Sequence, residues 1–137
     1  MFGQTYRASQ SSPYAKDIVY LGPISDEDRA KYYSLASVFV YPSFFEGFGL
    51  PVLEAMSCGA AVITSDRSSL PEVAGDAALL VDPYNISALA SAMESVLTSP
   101  ELADSLRRKA LVQSAKFDWR NSVTETRQVI HRELSSN

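Results

Sequence analysis

The chain has 137 residues, of which 46% are hydrophobic and 20% are charged. These values are typical of one globular domain, and they exclude a disordered or fibrous chain. The balance of 12 basic against 16 acidic side chains gives a formal net charge of −4, which does not favour nucleic-acid binding through a basic surface. The sequence contains no apolar run of the roughly 18–20 residues that a membrane-spanning helix needs.

The sequence predicts a short lead-in followed by one continuous domain. Residues 1–16 are polar and rich in Ser and Gln, which predicts irregular structure. Residues 17–137 contain neither an internal repeat nor a low-complexity tract, so we assign them to a single domain. The only cysteine, Cys58, excludes an internal disulfide and suits a reducing, cytoplasmic compartment.

Strand and helix signals alternate along this domain. Apolar runs predict four strands, at residues 17–21, 37–41, 60–64 and 77–81. Composition and spacing predict helices over residues 26–36, 50–58, 100–116 and 120–134, a further helix from residue 86 onward, and a short helical turn at 70–73. On the first helix we expect Ser25 to be the N-cap, and Tyr32, Tyr33 and Leu35 to face the packed side. The alternation predicts an α/β fold with a parallel sheet.

The most informative segment is residues 41–54, Y-P-S-F-F-E-G-F-G-L-P-V-L-E, which joins a predicted strand to a helix. In open parallel sheets, ligands bind outside the carboxyl ends of the strands. Gly47 and Gly49 allow a ligand to approach the backbone, and the amides of residues 47–50 lie at a helix N-terminus. This arrangement favours an anion such as a phosphate or diphosphate. The segment matches neither the P-loop nor the dinucleotide-binding glycine pattern.

Two glutamates, Glu46 and Glu54, flank the glycines. Taken singly, the first is explained as a loop charge in water and the second as an exposed helix residue. A carboxylate, however, accepts hydrogen bonds from two hydroxyls, so it suits the vicinal diols of a ribose or a hexose. Together with the glycine loop, the pair favours a sugar nucleotide, which offers both a diphosphate and diols.

This arrangement resembles the signature of the retaining group 1 glycosyltransferases with the GT-B fold. The signature comprises Glu46, Glu54 and the segment 47–51 between them. Further similar blocks are residues 18–22, 25–27, 54–63, 70–73, 75–83 and 117–119. The resemblance extends from about Asp17 to Glu133. It implies an α/β fold with a partial Rossmann-like parallel sheet of about four strands flanked by helices, which is the C-terminal half of a GT-B fold. Residues 17–137 would then form part of a sugar-nucleotide-binding domain.

The resemblance also implies roles for the residues that match. Glu46 is the candidate catalytic residue and would contact the hydroxyls of the donor sugar, whereas Glu54 would bind the ribose hydroxyls. The implied donor-binding set is Ser43, Gly47, Phe48, Gly49, Leu50 and Glu54. We expect a nucleotide-diphosphate sugar as the donor substrate, with no cofactor and no metal, because the sequence has no Asp-x-Asp motif and no His/Cys cluster.

The chain departs from the family pattern at several positions. Ala61 stands where many relatives have Pro. The family's Arg and Lys that neutralise the leaving diphosphate have no assigned counterpart here, since Arg7 and Lys16 lie in a different setting. The acceptor-binding domain is also missing from these residues. We therefore expect a donor-binding portion of a retaining glycosyltransferase that is inactive alone and is completed by an acceptor domain on a separate chain.

Two alternatives remain open, a non-catalytic nucleotide-sugar-binding module that needs a partner chain and a truncated fragment. A glycosidase is not favoured, because paired carboxylates alone leave the glycine loop unexplained. We expect no nucleic-acid partner, no transmembrane segment and a cytoplasmic location. Because the family includes relatives with lipid acceptors, a peripheral position at the inner membrane face is a further expectation.

Overall fold

Three parallel strands form the sheet in a computed structural model that describes residue 7 and residues 9–135. They are β1 (Phe39–Tyr41), β2 (Val62–Ser65) and β3 (Ala78–Val81), in the order β1-β2-β3. Val40 pairs with Ile63, which in turn pairs with Leu79. Because all three strands are parallel, their carboxyl ends lie at the same edge of the sheet. The predicted α/β class and parallel sheet are confirmed.

α-Helices precede, connect and follow the strands in the described residues. They are α1 (Asp26–Leu35), α2 (Leu50–Ser57), α3 (Leu70–Ala74), α4 (Ile86–Thr98), α5 (Pro100–Ser114) and α6 (Trp119–Ser135), and a single 3₁₀ turn covers Ala15–Asp17. The predicted cap of α1 is present, since the Ser25 Oγ accepts a hydrogen bond from the Asp28 amide at 3.1 Å.

No helix in the described part of the chain is both long and apolar enough to cross a membrane.

The predicted strand over residues 17–21 is wrong. Asp17 ends the 3₁₀ turn, and residues 18–21 belong to no strand. Their apolar side chains are exposed, with Val19 at 75%. An apolar run becomes a strand only where a neighbouring strand pairs with its backbone groups, and this run has no such neighbour among the described residues. The sheet therefore has three strands rather than about four. Of the predicted lead-in, residues 1–6 and 8 lie outside the described residues.

The packed side of α1 is narrower than expected. Tyr33 packs against the core as predicted, but Tyr32 is 49% exposed and Leu35 is 83% exposed. Of these three residues only Tyr33 therefore packs against the fold, because α1 contacts the rest of the fold mainly through α2.

The core lies on both faces of β2, which is buried along its whole length. Successive side chains of a strand point to opposite faces, so Val62 joins one cluster and Ile63 joins the other. The first cluster contains Val52, Met56, Leu70, Val73 and Ala110, and the second contains Val81, Val96, Ala103 and Leu106. This two-sided burial is typical of parallel sheets. The buried core therefore fixes the positions of the strand ends, including the end of β1 from which the loop with Gly47 and Gly49 starts.

Candidate functional site

The loop of residues 42–49, here called the site loop, leaves the carboxyl end of β1 and leads into α2. Its last residue, Gly49, is the N-cap of α2 and has a φ of +105°, a conformation that favours glycine. The Gly49 carbonyl accepts hydrogen bonds from the amides of Val52 at 3.0 Å and Leu53 at 3.2 Å. The predicted position of this loop, at a strand's carboxyl end and before the helix that carries Glu54, is confirmed.

Glu46 is anchored through one of its carboxylate oxygens. The Tyr41 hydroxyl donates to Glu46 Oε1 at 2.7 Å, and the Ser43 hydroxyl donates to the same atom at 2.9 Å. The hydrogen bond to Glu46, together with partial burial, raises the pKa of Tyr41 to about 12. The phenol therefore stays protonated and remains a donor to the carboxylate at neutral pH.

Glu54, on α2, is held by two side chains of α1. The Tyr33 hydroxyl donates to Glu54 Oε2 at 3.3 Å, and the Arg29 Nε lies 3.3 Å from the same oxygen. Burial and the nearby Glu54 carboxylate raise the pKa of Tyr33 above its usual value, against the opposing effect of Arg29. The Glu54 side chain remains 40% exposed, so it is still accessible to a ligand.

A second loop, residues 66–69 between β2 and α3, fixes the backbone of the site loop. The Ser68 hydroxyl donates to the Glu46 carbonyl at 2.6 Å. The Ser69 hydroxyl lies within hydrogen-bonding distance of the Glu46 carbonyl, at 3.0 Å, and of the Phe48 carbonyl, at 2.8 Å. These contacts join the carboxyl ends of β1 and β2 and restrain the loop between the two glycines.

The two glycines of the site loop differ in their surroundings. A Cβ placed on Gly47 would meet no atom within 4 Å, whereas one on Gly49 would lie 2.6 Å from Leu70 Cδ2. Gly47 is exposed and Gly49 is buried. Of the two backbones, that of Gly47 is therefore the one open to an approaching molecule.

Apolar side chains line the other side of the site loop. Phe48 and Leu50, at 42% and 50% exposure, border a pocket of about 310 Å³. The Phe48 ring meets the Phe117 ring edge-on at a centroid distance of 5.8 Å. The remaining pocket residues are Leu53, Asp118, Trp119 and Ser122. The aromatic segment 117–119 is thus placed beside the predicted site.

Residues 4–113 match the family described as glycosyl transferases group 1. The chain belongs to this family. The predicted resemblance to the group 1 glycosyltransferases is therefore confirmed.

This glycosyltransferase chain is similar to several mannosyltransferases. It is 46% identical over 109 residues to the O-antigen chain mannosyltransferase B of Escherichia coli, a match that covers 80% of this chain and 29% of that protein. It is 34% identical over 127 residues to the MMP alpha-(1->4)-mannosyltransferase of Mycolicibacterium hassiacum, covering 87% of this chain and 30% of that protein. The chain thus spans less than a third of the length of these relatives.

A solved glycosyltransferase has the same fold. Sucrose-phosphate synthase from Thermosynechococcus elongatus superposes with a TM-score of 0.87 at 30% sequence identity, and the match covers 98% of this chain and 34% of that one. The three-stranded parallel sheet with its flanking helices therefore matches part of a GT-B fold.

The structure brings the predicted site residues of this glycosyltransferase chain onto one strand end and one helix. Ser43 contacts Glu46 directly, and Glu54 lies on the helix that the site loop begins. Sequence reasoning missed Arg29 and Ser69, which contact the site from other elements. No sequence signal pointed to Arg29, because its contact with Glu54 depends on how α1 packs against α2. A serine in a loop carries no such signal either.

Within residues 9–135, no group of three or more His, Cys, Asp or Glu side chains is close enough together to bind a metal ion.

Proposed function

We propose that this chain binds the sugar nucleotide donor of a retaining glycosyltransferase. The observation that carries the proposal is the glycine loop at the carboxyl end of β1, with the Glu46 and Glu54 carboxylates held near its two ends. Glu46 accepts hydrogen bonds from hydroxyls of the transferred sugar, and Glu54 accepts them from the ribose. Membership of the group 1 glycosyltransferases supports both roles.

In this proposal the diphosphate binds against the start of α2. The amides of residues 47–50 lie at the helix N-terminus, where unpaired donors and the helix dipole favour an anion. Gly47 leaves open space above the backbone, so a phosphate oxygen can reach these amides. Phe48 and Leu50 border the apolar pocket on the other side of the site loop. Ser43 acts through its hydrogen bond to Glu46.

The acceptor and the leaving-group cation belong to other parts of the enzyme in this proposal. The matched mannosyltransferases are more than three times as long as the aligned region, since the match covers 29% and 30% of them. Their names make a mannose nucleotide the first donor to test. We propose that a further domain supplies the acceptor site and completes the donor pocket.

Isothermal titration calorimetry of the 137-residue chain against GDP-mannose, UDP-glucose and ADP-glucose tests the donor site. We expect one of these compounds, and its nucleoside diphosphate, to bind. Absence of binding by all three at millimolar concentration would contradict the proposal.

Single substitutions then test the assigned contacts. Glu54→Ala removes charge-assisted hydrogen bonds to the ribose that are together worth about 1.5–3 kcal/mol, and should weaken nucleoside diphosphate binding about tenfold to a hundredfold. Glu46→Ala should weaken it less, because the nucleoside diphosphate lacks the sugar that Glu46 contacts. Glu94→Ala, at an exposed position of α4, is the matched control. If Glu46→Ala lost more nucleoside diphosphate affinity than Glu54→Ala, the placement of the ribose would be wrong.

A further inference from the structure

Three aromatic rings connect the two carboxylates of the proposed donor site. The Tyr33 ring, on α1, meets the Phe39 ring edge-on at a centroid distance of 5.0 Å. The Phe39 ring stacks on the ring of Tyr41, which lies two residues further along β1. Their centroids are 6.1 Å apart and the angle between the ring planes is 12°. The outer two rings end in hydroxyls that donate to Glu54 and Glu46, respectively. The series thus begins at one carboxylate and finishes at the other.

We propose that Tyr41 and Tyr33 are positioning residues for donor recognition: Tyr41 orients Glu46 toward the transferred sugar, and Tyr33 orients Glu54 toward the ribose. This inference rests on the proposed donor site. It adds that the two tyrosines affect different parts of the donor, because each tyrosine orients the carboxylate that contacts one part. Neither tyrosine touches the donor itself.

Glu46 shows how the orientation works. A carboxylate can accept about four hydrogen bonds, two on each oxygen. Tyr41 and Ser43 both donate to Oε1. No hydrogen bond to Oε2 occurs within the described residues, so this oxygen remains for the hydroxyls of a sugar. The tyrosine is neutral, so it orders the carboxylate without neutralising the charge that strengthens those hydrogen bonds.

The ring series is rigid enough to have this effect. Tyr33, Phe39 and Tyr41 all pack against the core cluster that contains Val52 and Met56. The backbone of Tyr41 is fixed as well, because its carbonyl accepts a hydrogen bond from the buried Thr64 hydroxyl at 2.9 Å. A glutamate ordered before the ligand arrives loses less side-chain entropy on binding. Phenols on packed rings supply that order to both carboxylates.

Tyr41→Phe and Tyr33→Phe in the 137-residue chain test the inference, because each removes a hydroxyl and keeps the ring. GDP-mannose, UDP-glucose and ADP-glucose are titrated beside GDP, UDP and ADP, so that affinity for the sugar is separated from affinity for the nucleoside diphosphate. Tyr32→Phe is the matched control, since Tyr32 is the neighbouring, half-exposed tyrosine on the same helix. Thermal unfolding of each variant checks that the fold is kept.

We expect Tyr41→Phe to weaken the sugar nucleotide about three- to tenfold and the nucleoside diphosphate less than about twofold. Tyr33→Phe should weaken both ligands by the same factor, and Tyr32→Phe should change neither. Ser43→Ala, which removes the second donor to Glu46 Oε1, should act in the same direction as Tyr41→Phe. It also provides a second variant if Tyr41→Phe fails to fold.

The double variant Tyr41→Phe with Glu46→Gln separates positioning from general packing. If Tyr41 acts through the carboxylate, Tyr41→Phe should cause no further loss of sugar selectivity once Glu46 is a glutamine. An unchanged sugar selectivity in Tyr41→Phe and Ser43→Ala, or a full additional loss in the double variant, would overturn the inference while leaving the donor site intact. If the wild-type chain bound none of the six compounds, the donor-site proposal would fail first, and the inference with it.

Discussion

At the scale of single residues, the two glycines of the site loop have different physical roles. The backbone of Gly49 has a φ of +105°, and a Cβ there would lie 2.6 Å from Leu70 Cδ2. The sequence predicted that both glycines allow a ligand to approach the backbone, but in the structure a side chain at position 49 would intrude on the core. Gly47 has neither a positive φ nor a neighbouring atom that a Cβ would meet. The absence of a side chain at Gly47 therefore matters for a molecule that binds above the loop.

The glycines can therefore be separated by measuring stability and binding together. Gly49→Val should lower the free energy of unfolding by about 2–5 kcal/mol, because it adds backbone strain and overpacking against Leu70. Gly47→Ala should change it by less than about 0.5 kcal/mol and still weaken nucleoside diphosphate binding, because its methyl group lies where the ligand approaches. Urea denaturation and calorimetry measure the two effects. Full ligand affinity in Gly47→Ala would place the diphosphate elsewhere.

Tyr41 predicts how stability depends on alkaline pH. Its pKa is about 12 in the folded chain, against an ordinary value of 10.0, so the folded state retains a proton that the unfolded state loses. The stabilisation is complete below pH 10 and disappears as the pH rises from 10 to about 12. Wild type should therefore lose stability across this window more steeply than Tyr41→Phe, as measured by urea denaturation at fixed pH values.

The Glu46→Gln variant provides the control for that measurement. The pKa of Tyr41 is raised chiefly by its hydrogen bond to Glu46, and the negative charge of Glu46 adds to the effect. Removing that charge should lower the pKa of Tyr41, which ¹³C-tyrosine NMR can follow directly. An identical titration of Tyr41 in wild type and Glu46→Gln would show that the hydrogen bond is not formed in solution.

At the scale of elements, the contact between the site loop and residues 66–69 depends on serine hydroxyls and backbone carbonyls. Ser69 is within hydrogen-bonding distance of two carbonyls of the site loop, those of Glu46 and Phe48. Its partners lie 21 and 23 residues earlier in the chain. The loop that carries the candidate donor-binding amides is thus restrained by residues that follow a neighbouring strand, in addition to the hydrogen bonds that Ser43 makes within the loop.

Ser69→Ala should loosen the site loop without altering the core. We expect the free energy of unfolding to fall by about 1 kcal/mol and the amides of residues 47–50 to exchange with solvent faster. Ser91→Ala, at an exposed position on α4, is the matched control. Hydrogen-exchange mass spectrometry measures the effect, and unchanged exchange in this segment would show that Ser69 does not restrain the loop.

These elements also show why the sequence predicts some features and not others. The start of α1 was predictable because its cap joins Ser25 to Asp28 within one turn, and the start of α2 because Gly49 and Pro51 act locally. The absence of a strand at residues 17–21 was not predictable, because strand formation depends on a neighbouring strand as well as on the composition of the run. Likewise, the contact of Arg29 with Glu54 depends on how α1 packs against α2.

At the scale of the whole molecule, apolar surface is concentrated at the margins of the described fold. β1 pairs only with β2, and its residues are half-buried, whereas β2 is buried on both faces. The side chains of α6 are exposed along its length, including Trp119 at 79% and Leu134 at 75%. Parallel sheets are normally covered on both faces and protected at their edges. The strand edge and the apolar surface at these margins are therefore the parts of the fold that the described residues cover least.

We expect the 137-residue chain alone to bind a donor and not to transfer its sugar. Transfer requires positive charge beside the departing diphosphate, since such electrostatic stabilisation is usually the largest catalytic contribution. Arg29 and Arg67, which lie on elements around the site, are already paired with carboxylates: the first with Asp26 and Glu54, the second with Asp66 and Asp82.

Transfer also requires that an acceptor be held against the sugar, an effect worth about 7–11 kcal/mol in well-oriented reactions. The aligned region is only 29% of the length of the E. coli mannosyltransferase, so most of that enzyme has no counterpart in these residues. Chromatography of reactions containing the chain, GDP-mannose and a mannoside acceptor should therefore show no acceptor-dependent product, even where calorimetry detects donor binding. The matched control is the full-length E. coli relative under the same conditions. Product formed by the 137-residue chain alone would show that these residues contain both the acceptor site and the leaving-group cation.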